Sequence, residues 1–405
     1  METIAIEREQ NSLTNGQLAA VTLGRLALNA AYRILYPLQP FLALRLDVDL
    51  RTVSALVTVQ VLASVASPLG GALADTRGER STMTLGLLIF CLGAGLCAVA
   101  GSFGAFLVGY ALIGLAVALY QPAAQAYLSA RTNYARRGWA LGVFETSWAA
   151  SALVGVAPLM QLVQTTGDSA WSFRLILLAG LCSLVLVRFG LPAARAVSTP
   201  DQPGQSPARR AIDWGALRTA SVFGILGLLF LSGMGVDMVF VVQGAWSKAS
   251  LGATEAQLGQ VFGLLGIAEF GGSIGSTLLV DRVGKKRAVL AGYGLTALAV
   301  ALLPLSDGNW PLFLVLYFLF DLCFEFAIVS TFPLASGVAP AVRGTLLALG
   351  VLMVGLGRAA GTQIAEPLWS SQGIAVLGLA SAALIAAGAL LCWRLVRENE
   401  AAQQA

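Results

Sequence analysis

Gly71–Arg80 reads GALADTRGER, a polar, charged decapeptide between two apolar runs that are each long enough to cross a bilayer. Much later, Thr277–Lys286 reads TLLVDRVGKK, again between two such runs. Each copy places an Asp at the end of an apolar helix, then two residues, a Gly and flanking basic residues. The copies lie about half the chain apart, which points to a duplicated architecture.

The composition agrees with membrane-crossing runs. Of 405 residues, 57% are hydrophobic and 11% charged, with 45 Gly; the mean hydropathy is +0.78. A soluble domain carries about 25% charged residues, so this chain has too little charge to cover a globule. It reads as a polytopic helical membrane protein. The opening METIAIEREQNSLTNG is polar and lacks a short apolar core with a cleavage site, so the first apolar run, from Gln17, is expected to stay in the membrane. The five cysteines lie inside apolar runs, and there is no His and no CxxC, so neither a zinc site nor a disulfide framework is expected. GxxxxGK[ST] is absent, which argues against ATP-driven transport by this chain. No enzyme activity and no cofactor is expected.

About 20 helical residues span the hydrocarbon core. Twelve runs meet that test, at 17–44, 52–74, 82–101, 104–129, 138–163, 171–192, 218–243, 255–279, 287–305, 311–333, 345–369 and 373–395. The Pro- and Arg-rich stretch 193–217 is the one long linker. The expected organisation is a six-helix bundle over 1–192, a cytoplasmic linker over 193–217 and a second six-helix bundle over 218–405. A second repeat supports it. Ala135–Gly142 (ARRGWALG) follows span four and Ala341–Ala348 (AVRGTLLA) follows span ten, each opening the next helix with Arg-Gly. Repeats in the same order imply parallel halves.

Lys and Arg give the orientation. With both termini cytoplasmic, 18 of the 25 fall in inside segments and 3 (Arg45, Arg51, Lys248) outside. That bias places both termini inside. The net charge of +4 reflects this topology and gives no sign of nucleic-acid binding.

Two six-span halves, a long central loop and GxxxDxxGxR between spans two and three resemble the major facilitator superfamily. The first copy supplies Gly71, Asp75, Arg77, Gly78 and Arg80, with Thr76 and Glu79 where the family usually has basic residues. The second supplies Asp281, Arg282, Gly284, Lys285 and Lys286, with Thr277 at the leading Gly position. Glu145-Thr-Ser-Trp148, Ile267-Ala-Glu-Phe270 and Phe324–Ser330 (FEFAIVS) look like the bacterial twelve-span drug-efflux group. The resemblance implies an all-α membrane protein of twelve transmembrane helices in two pseudo-symmetric six-helix bundles. It implies a monomeric inner-membrane transporter that exports a small, amphipathic molecule by proton-coupled alternating access. Uptake or facilitated diffusion of a sugar or organic anion is the alternative. Asp75 is implied to help shut the cytoplasmic side through the positive start of span eleven near Arg343.

An ionisable group inside a bilayer costs at least about 2.5–3.5 kcal/mol and marks a candidate site. By the resemblance, spans one, four, seven and ten line the cavity. Asn29, Arg33 and Tyr36 share one face of span one. Arg33 would hold an anionic substrate or a carboxylate partner. Gln121 and Gln125 in span four would bind substrate or join helices. Met234 and Phe324 would add an adaptable apolar wall. With no His, proton coupling falls to carboxylates: Asp321 first, then Glu325, Asp237, Glu145 and Glu269. Structural ion pairs and polar networks are the competing roles for all of them. Arg358 in span eleven is a counter-charge for one of these acids, which one the sequence leaves open.

Overall fold

A computed structural model of the protein describes residues 13–49, 65–192 and 214–397, with 52, 53, 56, 59, 62 and 63. The predicted span 52–74 lies partly, and the linker 193–217 mostly, outside the described residues. The helices are α1 (Asn15–Arg33), α2 (Leu35–Leu46), α3 (Ser67–Arg77), α4 (Glu79–Val99), α5 (Phe103–Arg131), α6 (Arg137–Ala150), α7 (Ala157–Thr166), α8 (Ala170–Gly190), α9 (Ala220–Leu251), α10 (Glu255–Val283), α11 (Lys285–Leu302), α12 (Trp310–Val338) and α13 (Arg343–Leu395). A π-helical stretch, Ser151–Val156, joins α6 to α7.

Local chemistry sets where these helices begin and break. Thr14 and Thr254 close capping boxes with Gln17 and Gln257, and Ser102, Thr219 and Asn309 each accept a first-turn N–H. Gly78 (φ 91°) and Gly284 (φ 94°) separate α3 from α4 and α10 from α11. They hold the same register in the two decapeptides, in a conformation that side chains resist.

Among the described residues, 9 helices are long and apolar enough to cross a membrane, and the bent pair α1–α2 passes the same test when its two helices are taken together. One of the nine, Pro340–Leu395, is 56 residues long. At 1.5 Å per residue that is about 84 Å, more than twice a bilayer core. Gly373 (φ 78°) breaks it where the predicted eleventh and twelfth spans meet. The chain is therefore a multi-pass helical membrane protein.

The chain forms two compact units. Unit 1 comprises 1–133, 147–213 and 341–348; unit 2 comprises 134–146, 214–340 and 349–405. Each unit thus contains one short segment from the other half of the sequence, and the two segments coincide with the Arg-Gly repeat. Inside unit 1, α4 and α5 approach so closely at Gly93 and Gly109 that a Cβ on Gly109 would lie 2.9 Å from the Gly93 carbonyl. Inside unit 2, Phe313, Tyr317 and Phe320 of α12 stack along one side, and Phe240 of α9 packs edge-on to Tyr317 at 6.2 Å.

Candidate functional site

The two decapeptides build matching clasps. In unit 1, Asp75 Oδ1 accepts from the Gly344 N–H at 3.0 Å, and Oδ2 from the Thr345 N–H at 2.7 Å and its hydroxyl at 2.6 Å. In unit 2, Asp281 Oδ1 and Oδ2 accept from the Gly138 and Trp139 N–H groups at 3.1 and 2.8 Å. Each carboxylate therefore sits on the first turn of a helix, α13 or α6, where N–H groups lack intrahelical partners and the dipole favours negative charge. Burial raises the Asp75 carboxyl above its ordinary value, against the pull of the Thr345 and Gly344 hydrogen bonds and the Arg343 charge.

The clasps differ in their third donor. Lys285 Nζ reaches Asp281 Oδ1 at 2.9 Å and the Tyr134 carbonyl at 2.6 Å. The same register in the first copy is Glu79, which pairs with Arg131 at 3.8 Å; the Thr345 hydroxyl takes over the task of Lys285. The close approach is also traded. A Cβ on Gly71 would run into the Gly344 carbonyl and Ala348, and one on Gly142 would run into Thr277. So Gly faces Ala348 in one clasp, and Thr277 faces Gly142 in the other. Arg80 donates to the Arg188 carbonyl near the end of α8, and Lys286 to the Trp393 and Val396 carbonyls at the end of α13. Arg77 and Arg282 are exposed.

The membrane-centre candidates separate by unit. In unit 1, Asn29 donates to the Ser147 hydroxyl at 3.4 Å. Arg33 donates to the Trp148 carbonyl at 3.2 Å and lies 4.7 Å from the centre of its ring. Gln125 is buried and Gln121 half-buried. The Tyr36 side chain lies outside what is described. In unit 2, Asp321 and Glu145 are buried, and Glu269, Met234 and Phe324 half-buried. Glu325 accepts from the Ser273 hydroxyl at 2.6 Å.

One pair stands out. Asp237 of α9 is 5% exposed. Its Oδ1 accepts from Arg358 Nε at 2.9 Å, and its Oδ2 from the Thr362 hydroxyl at 2.5 Å. Gly357 and Gly361 make this possible: a Cβ on either would collide with the Phe230 or Met234 carbonyl, so α9 and α13 touch backbone to backbone. Arg358 and Thr362 each follow one of those glycines and are set beside Asp237. The partner of Arg358 is thus Asp237. The sequence reading missed Thr362 and, one turn on, Glu366. Arg358, Thr362, Glu366 and Ser370 recur every four residues and all are exposed. That spacing was a usable signal of a polar helix face.

A family model described as Major Facilitator Superfamily matches residues 21–362 and 225–405. The chain belongs to the major facilitator superfamily. Members of this superfamily similar to it include the MFS-type transporter YwfA of Bacillus subtilis (strain 168), 25% identical over 92% of this chain and 90% of that protein. The minor myo-inositol transporter IolF of the same organism is 25% identical over 80% of this chain and 69% of that protein. Among solved structures, the MFS proton:xylose symporter XylE superposes with a TM-score of 0.73 at 16% identity, covering 94% of this chain and 95% of the other. That identity speaks for the fold alone. The chain is an MFS transporter and not an enzyme.

Proposed function

We propose that this transporter moves a small organic molecule across the cell membrane by alternating access coupled to protons, with Asp237 as the coupling acid. The observation that carries the reading is the Asp237–Arg358–Thr362 cluster. A carboxylate neutralised by one arginine in the middle of two spans holds no net charge while deprotonated, and releases its partner when a proton arrives. Such a pair is a two-state element that a proton can bias. Asp321, the first choice from sequence, is buried on α12 one turn from Tyr317; Asp237 is preferred here because Arg358 Nε donates to it. The two Asp clasps, on the cytoplasmic side in this reading, are made in one state of the cycle and released in the other.

The test is flux in proteoliposomes under an imposed pH gradient, with labelled myo-inositol, small carboxylates and amphipathic amines as cargo. Gradient-driven flux in wild type, lost in Asp237→Asn, supports the reading. Flux that ignores the gradient for every cargo contradicts it. Likeness to IolF favours one second reading, uptake of a neutral polyol, which myo-inositol flux decides. Export, implied by the drug-efflux resemblance, would appear as the opposite sign of the same gradient response.

A further inference from the structure

Arg358 lies 15 residues beyond the start of α13 at Arg343 and 15 before the break at Gly373. At 1.5 Å per residue it is about 22 Å from either end, at mid-bilayer. Its side chain is nevertheless 62% exposed. An arginine at such depth faces a bundle interior or a water-filled cavity rather than hydrocarbon, and its exposure is the ground for assigning Arg358 to a cavity. Thr362, Glu366 and Ser370, at four-residue spacing, continue its exposed polar face. Only the Nε edge of Arg358 is engaged by Asp237; among the described residues its two terminal nitrogens have no hydrogen-bond partner. A planar fork of N–H donors held from behind and open in front is the geometry that grips a carboxylate, phosphate or sulfonate with two bonds.

We infer that Arg358 is the substrate ligand of this transporter, that its cargo is a small organic anion, and that anion and proton bind together. The inference rests on the coupling role proposed for Asp237. Its logic is charge competition. Asp237 and the anion compete for one guanidinium, so an anion at Arg358 weakens the ion pair and favours protonation of Asp237 at its carboxylate oxygen. By linkage, protonation of Asp237 strengthens anion binding equally. The loaded site then holds an arginine cation, a substrate anion and a neutral acid. The empty site holds an arginine cation and an Asp anion. Both loaded and empty sites are free of net charge, and both can cross between states without stranding a charge at mid-bilayer. A cationic cargo would instead meet Arg358 and be repelled. Positive linkage moves proton and anion in one direction, so an inward proton gradient drives uptake.

Among the described residues, the charged and titratable groups on the helices that meet α9 near Asp237 include Arg358 and, two turns on, Glu366 of α13, Tyr317 of α12, which meets Phe240 of α9, with Asp321 one turn beyond it, and Tyr293 of α11, which meets Ser232 of α9. On α9 itself Asp237 is the only ionisable residue between Arg218 and Lys248.

The experiment uses the full chain purified in detergent, in weak buffer. The probes are benzoate, succinate, gluconate, phenyl phosphate and benzenesulfonate, each beside an uncharged analogue, with myo-inositol and an amphipathic amine as further arms. Ligand-induced thermal shift, binding affinity and medium pH are read together. At least one anion is expected to raise the melting temperature where its uncharged analogue does not, and to take up about one proton per anion bound. Asp237→Asn is expected to bind that anion about tenfold more tightly, with no proton uptake. Arg358→Lys, which keeps the charge but loses the fork, is expected to lose about tenfold. Arg358→Ala is expected to lose binding. Binding by uncharged or cationic probes alone, anion binding unchanged in both Arg358 variants, or no anion binding at all would overturn the inference. Gradient-driven flux of a neutral or cationic cargo would leave the coupling role standing while the anion assignment fell. Absence of any gradient-driven flux would bring down the coupling role itself.

Discussion

Asp237 and Arg358 stand 121 residues apart in sequence and 2.9 Å apart in space, a nearly buried acid held by an exposed arginine. The exposure of one partner matters for energetics. A pair open to water on one side is worth less than a fully buried one, but removing the arginine still leaves Asp237 with a single hydroxyl partner, Thr362. Arg358→Ala is expected to lower stability by about 1–3 kcal/mol. Asp237→Asn, which still accepts from Thr362, is expected to cost less. Thermal unfolding of the purified variants in one detergent checks the order, and an Asp237→Asn that melts below Arg358→Ala would contradict it.

The pair depends on the backbone contact behind it. Gly357 and Gly361 admit no side chain without forcing α9 and α13 apart. Overpacking of this kind typically costs about 1–3 kcal/mol. Gly357→Leu or Gly361→Leu should both destabilise the protein and abolish gradient-driven flux. Gly294, whose Cβ would meet nothing within 4 Å, is the control: Gly294→Ala should change neither. Equal melting of all three variants with wild type would refute the close-contact account.

The third donor differs between the clasps, so their weak points should differ. Thr345→Val removes one hydroxyl bond from Asp75, an expected loss of about 0.5–1.5 kcal/mol. Lys285→Met removes a charged donor from Asp281 and from the Tyr134 carbonyl, and charge-assisted bonds are worth about 1.5–3 kcal/mol. A double-mutant cycle between Asp281→Asn and Lys285→Met should show coupling of at least about 0.5 kcal/mol. The cycle of Asp75→Asn with a Glu79→Gln change should show less. Equal coupling in both copies would mean that the register does not assign these roles.

The exchange of small and large residues across the clasps makes a rescue prediction. Gly142→Ala places a methyl against Thr277 and should destabilise unit 2 by about 1–3 kcal/mol. Thr277→Gly in the same chain recreates the arrangement found at Gly71 and Ala348 and should recover most of the loss. A double variant no more stable than Gly142→Ala alone would show that the two joints are not equivalent.

Much of this was legible in the sequence because the bilayer imposes it. Apolar runs of about 20 residues separated by charge fix helices almost regardless of tertiary context, so the spans and the two decapeptides could be read directly. Gly78 and Gly284 were visible as the shared Gly of the two decapeptides, and the structure gives the reason, a positive φ at both. The Arg-Gly repeat was visible, and the structure adds that its N–H groups receive Asp75 and Asp281. What the sequence withheld were partners across spans. Asp237, Glu325 and Asp321 all sit in apolar runs, and only packing decides that one meets an arginine and another Ser273. Thr362 was missed because a lone Thr in a span ordinarily bonds its own helix, as it also does here to the Arg358 carbonyl.

The central claim is that a proton at Asp237 couples transport to the pH gradient. The most direct measurement compares gradient-driven accumulation with counterflow exchange in proteoliposomes of wild type and Asp237→Asn. The account predicts that wild type accumulates cargo under the gradient, while Asp237→Asn exchanges cargo but no longer responds to it. Accumulation by Asp237→Asn equal to wild type would contradict the account.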